Sequence, residues 1–170
     1  MYTTRAFLLV VMTMMPMLSI PAQVSPSACT ASQYHQFDFW IGDWEVFENE
    51  KSVAHVTVDK ILGGCVVRER YTESNGYEGQ SFNIYDAGKH VWSQTWMTNR
   101  GKFLQISGGL NGNSMVLSGT DLDSKPTRLV RGTWKPVKDG VEETAITSTD
   151  GGKAWTTWFD LFFRPFRTSR

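Results

Sequence analysis

From residue 40 onward, apolar residues alternate with polar ones in short runs rich in Val, Ile, Thr, Trp, Tyr and Phe. Gly, Asn and Asp break these runs at intervals of roughly 8–14 residues, the spacing of an all-β sandwich or barrel. The pattern predicts strands over 43–50, 52–60, 64–72, 79–86, 90–98, 102–109, 113–120, 127–134, 140–148 and 153–164. The links carry hairpin chemistry, as in Asp86-Ala87-Gly88, Asn99-Arg100-Gly101, Asn111-Gly112-Asn113, Lys138-Asp139-Gly140 and Asp150-Gly151-Gly152. No crossover helix separates the strands, so they pair antiparallel. Only Ser32 to Trp40 suits a short helix, capped by Ser32 and lying across one end. Ten consecutive strands leave edges that closure removes, and short links suit neighbour-to-neighbour pairing better than Greek-key crossings. The expectation is an all-β, antiparallel up-and-down barrel of about ten strands with a short N-terminal helix; a sandwich is the alternative. A barrel wider than about eight strands begins to have room for a ligand.

The chain ahead of the strands has a different pattern. Met1 to Arg5 carries a positive charge, Ala6 to Ile20 is almost wholly apolar, and Pro21-Ala22-Gln23 follows. This is the layout of a secretory signal. The run is shorter than the roughly 20 residues a spanning helix needs and is interrupted by Pro16. The expected organisation is a signal peptide over 1–22, an N-terminal segment over 23–36, one barrel domain over 37–166 and a tail over 167–170. The expected location is secreted or periplasmic, with no stable membrane insertion once the signal is removed.

Export changes the meaning of the cysteines. The sequence has two, Cys29 and Cys65, without metal-ligand spacing. In an oxidising compartment such a pair most often forms a disulfide, here closing a loop worth about 3–4 kcal/mol in the chain-entropy model. The competing reading is two unpaired small hydrophobes.

Charge and composition mainly exclude. There are 17 basic and 17 acidic residues, so the chain offers no basic footprint for nucleic acid. His35, His55 and His90 are not spaced as metal ligands, and no nucleotide, dinucleotide or haem signature stands out. No metal and no cofactor is expected. Seven Trp are many for a domain this small to bury.

Strand alternation sorts the candidate site residues. In CVVRERYT, Glu69 shares a face with Val67 and Tyr71, opposite Arg68 and Arg70; in VWSQTW, Trp92, Gln94 and Trp96 fall together. Ser81, Asn83 and Tyr85 share a face, and Arg131 shares one with Leu129 and Thr133. One interior holding Glu69, Asn83, Trp92, Gln94, Trp96 and Arg131 is the expected ligand site, for a small apolar or amphipathic molecule. Phe37, Phe39, Trp40 and Trp44 would plug one end. Two other readings stay open: a self-satisfied Glu–Arg network in a filled barrel, and an enzyme using Glu69 as acid or base in an isomerase, cyclase or hydrolase.

The opening FDFWIGDWEV, Phe37 to Val46, is distinctive. With GGC before Glu69, then GQSFNIYD, VWSQTWMTNRG, RGTW and STDGGKAWTTWFD, it resembles a calycin-like family of exported bacterial proteins classed as a domain of unknown function. The resemblance covers 37 to about 164 and implies a lipocalin-like barrel. It brings no catalytic residues to carry over. Met97 and Thr98 stand where the family commonly has Val-Asp. The run Ser148 to Trp155 also resembles an Asp-box turn, which implies a hairpin held by Asp150 and no glycosidase activity.

Overall fold

The computed structural model describes residues 29–167. The expected signal peptide, the start of the 23–36 segment and most of the 167–170 tail lie outside the described residues. Ten strands follow one another: β1 (Gly42–Glu48), β2 (Lys51–Ile61), β3 (Val66–Glu73), β4 (Glu78–Asp86), β5 (Val91–Thr98), β6 (Phe103–Asn111), β7 (Ser114–Asp121), β8 (Arg128–Val137), β9 (Gly140–Ser148) and β10 (Thr156–Pro165). Each pairs antiparallel with its sequence neighbours, and β1 also pairs with β10, bringing Val46 opposite Phe163 and closing the barrel. The result is an all-β, lipocalin-like up-and-down barrel with no free edge.

Period-two alternation builds the wall. Along β2, Ala54, Val56 and Val58 are buried while His55 is exposed; along β4, Gly79, Ser81 and Asn83 are buried while Gln80 and Phe82 are not. The β1–β2 link, Asn49-Glu50, has φ of 48° and 64°, the left-handed pair that matches the strand twist of a tight hairpin. The final turn is built as its sequence suggests. Asp150 accepts hydrogen bonds from the Ser148 hydroxyl (2.7 Å) and the Ala154 amide (3.0 Å), while the Trp155 indole donates to the Gly152 carbonyl (3.1 Å).

One end of the barrel is stoppered. The segment expected as a helix forms two 3-10 turns, Ser32–His35 and Asp38–Trp40, and the Ser32 cap does not form. Gln36 and Phe37 separate them, so the helical hydrogen-bond ladder never propagates. Phe37 and Trp40 are fully buried and stacked with centroids 5.1 Å apart, and Trp40 meets Trp134 and Phe163. The Trp44 indole donates to the Trp40 carbonyl at 3.0 Å. Cys29 and Cys65 are joined by a disulfide, with Cα atoms 5.1 Å apart, which ties the start of this stopper to the β2–β3 link. Lys60 adds a second tie through the Tyr34 carbonyl (3.2 Å) and Asp38 (2.6 Å). Among the described residues no helix is long and apolar enough to cross a membrane.

Candidate functional site

Above the stopper the barrel holds a cavity of about 370 Å³. It opens at the end where the β1–β2, β3–β4, β5–β6, β7–β8 and β9–β10 links lie, with Glu48, Glu73, Tyr77 and Trp158 towards the rim. Its walls are Val53, Tyr71, Trp96, Leu104, Val130, Phe159 and Leu161, and its deeper part carries Glu69, Gln94, Ile106, Gly132, Trp134, Glu143 and Ala145.

The inward rows of β3, β4 and β5 place Glu69, Asn83 and Gln94 as alternation predicts, and they form one chain of hydrogen bonds. The Ser81 hydroxyl donates to Glu69 (2.8 Å); the Asn83 amide donates to Ser81 Oγ and to the Val67 carbonyl (3.0 Å each). Gln94 in turn donates to the Asn83 carbonyl oxygen (2.8 Å). Asn83 therefore serves as an orienting residue behind the wall, whereas Glu69 and Gln94 reach the cavity.

Trp96 lines the cavity as expected, edge-on to Tyr71 at 6.0 Å. Its indole lies over Gly79, where an added Cβ would stand 2.3 Å from the ring, so a side chain there would displace it. Trp92 shares that face of β5 but sits deeper. It is fully buried against Phe37 (5.7 Å, edge-on) and donates to Gln36 (3.1 Å), so it belongs to the stopper and not to the lining.

Arg131 is the residue that the structure moves out of the expected site. It is exposed on the outer face, its guanidinium 4.6 Å from the centre of the Trp155 ring. The inward row of β8 is Val130, Gly132 and Trp134. Gly132 disguises that row as weakly apolar, and it is small because an added Cβ would stand 2.9 Å from the Trp134 ring.

In place of the expected Glu–Arg pair there are two carboxyl groups. Glu143, which is not among the six residues expected from the sequence, projects inward from β9 between Val141 and Ala145. A signal was present in VEETA, since Val141, Glu143 and Ala145 share one parity; the adjacent Glu142, which points out, obscured it. β9 and β3 lie on opposing stretches of the ten-strand ring, so Glu69 and Glu143 confront each other across the lumen. Burial raises the Glu69 pKa to about 7, although the Ser81 hydroxyl opposes the rise. Burial, reinforced by the Glu69 charge, also pushes Glu143 well above the usual carboxylate range. The two titrate as a pair, so near neutral pH the pair holds protons that exposed carboxylates would have lost. The Trp134 indole N–H favours ionised Glu143 but stops short of a hydrogen bond, and this buried donor has no partner.

Among the described residues no cluster of three or more His, Cys, Asp or Glu side chains is arranged to hold a metal ion. No protein-family model matches the chain, and no curated protein matches it either.

Proposed function

We propose that this protein is an exported binding barrel that takes one small amphipathic molecule, and that it belongs with the calycin-like exported proteins its opening motif resembles. The apolar body of the ligand would lie against Trp96, Tyr71 and Leu161, with its polar head at Glu69, Gln94 and Glu143. The observation that carries this reading is the open cavity of about 370 Å³, of a size suited to a small ligand, with aromatic walls and a few convergent polar groups. A barrel filled by its own side chains would not keep such a space.

The test uses purified mature protein, native mass spectrometry and Trp fluorescence against a panel of lipids, haem and metabolites. The expected result is a 1:1 complex that Ala145→Leu weakens at least tenfold, because the longer side chain occupies the cavity floor. Failure of the whole panel to bind overturns the reading. The near-neutral pKa of Glu69 favours one second reading, acid or base catalysis in the same space. Glu69→Gln retaining ligand affinity while abolishing turnover of the bound compound would establish it.

A further inference from the structure

The cavity has a one-sided charge pattern. Among the described residues four carboxyl groups line it, Glu48, Glu69, Glu73 and Glu143, and no Lys, Arg or His does. The protein as a whole has equal numbers of acidic and basic residues, so this asymmetry is local. Arg100 and Arg128 stack on Tyr77 and Trp158 at 4.9 and 4.0 Å and stay out of the lining. Glu69 and Glu143 take part in none of the ion pairs formed by the described residues.

Two facing buried carboxyl groups resist ionising together, and a cation between them removes that resistance. The Trp134 indole N–H bears on the same place. It is 2% exposed, lines the cavity beside Glu143 and interacts with that carboxyl without closing a full hydrogen bond. An ionised Glu143 turned towards it would satisfy that donor, and none of the described residues that line the cavity supplies the countercharge such an anion needs. The walls suit the apolar part of such a cation, since Tyr71, Trp96 and Leu161 line the same cavity.

We propose that the cavity selects a small organic cation, an alkyl- or arylalkylammonium ion, with its ammonium between Glu69 and Glu143 and its apolar body against Tyr71, Trp96 and Leu161. This rests on the ligand-binding reading above and names the chemical class of the ligand. The bound ammonium donates to both carboxylates, and loading it expels a proton that the empty pair holds. Glu48 and Glu73 at the rim add attraction on approach.

The experiment is calorimetric titration of the mature protein near pH 7 with three ligands of one shape: 4-phenylbutylamine, 4-phenylbutanol and 4-phenylbutyrate. The amine is expected to bind 1:1 and at least about tenfold tighter than the alcohol, with the carboxylate weakest. Repeating the titration in buffers of different ionisation enthalpy should show proton release with the amine and none with the alcohol. Glu143→Gln, and independently Glu69→Gln, should reduce the preference for the amine over the alcohol to below about threefold. If alcohol or carboxylate binds as tightly as the amine, the cation inference fails and the binding cavity stands. If none of the three binds at millimolar concentration, the cation inference fails, and the broader ligand panel decides the binding reading separately.

Discussion

The carboxyl pair makes stability depend on pH in an unusual direction. In the unfolded chain Glu69 titrates near 4.5, while in the barrel burial raises it to about 7. Between those values the folded state holds a proton that the unfolded state has released, so stability falls as pH rises. Each pH unit of that interval removes about 1.4 kcal/mol, and the full interval removes about 3 kcal/mol. Glu143, raised by burial and by Glu69, acts in the same direction. Glu69→Gln keeps the shape and an acceptor for the Ser81 hydroxyl, and it removes both the titration and the charge that pushes on Glu143. Urea melts of both proteins from pH 5 to pH 8 therefore form the assay. Near pH 5 the two should agree within about 1 kcal/mol, and near pH 8 the variant should be more stable by about 3 kcal/mol, or about 10 °C in Tm for a chain of this size. Taking the difference between the two proteins cancels the titration of His and surface groups. Parallel curves across the range, or a variant less stable at pH 8, would show that burial does not hold the proton on Glu69.

Two further outcomes test other parts of the structure. Replacing both Cys29 and Cys65 by Ser opens a loop of 36 residues' separation and should lower stability by about 3–4 kcal/mol in denaturant melts, with reductant having no additional effect on the variant; an unchanged midpoint would reject a structural role for the bridge. Asp121 is fully buried between Lys102 and Arg128, the latter at 3.1 Å. Burial raises its pKa, but those two cations more than offset this and the net direction is down. The stability it contributes is thus present above pH 3.8 and lost as pH falls through its lower folded value. Asp121→Asn should cost about 3 kcal/mol at neutral pH and flatten the acid limb, which a pH series of thermal melts will show.

Which face a residue occupies was largely readable along the chain; how deep it sits was not. Alternation depends only on the pleat, and so it places Glu69, Asn83, Gln94 and Trp96 inward, where the structure has them. Trp92 obeys the same parity, two residues from Gln94, yet the N-terminal stopper reaches its level and removes it from the cavity. That encounter brings together residues more than fifty positions apart, which no local period encodes. Arg131 failed for a different reason. The interior row Val130, Gly132, Trp134 contains a glycine shaped by its own neighbour's indole, and a row judged by hydrophobicity alone loses to Leu129 and Thr133. Glu143 was hidden because two adjacent glutamates look equally solvated until the facing strands are known. The 3-10 turns at Ser32–His35 and Asp38–Trp40 likewise owe their shape to the apolar socket that receives Phe37 and Trp40 rather than to helix propensity.

The closing of the barrel also decides where it can be held. The β2–β3 link that receives Cys29, the start of β1 and the end of β10 all lie at the stoppered end, and the Phe166 amide donates to the Asp43 carbonyl there at 2.8 Å. Both ends of the described chain thus leave from the base of the cup. A tag, a surface attachment or a fused partner joined at either end would grip that base and leave the rim facing solution.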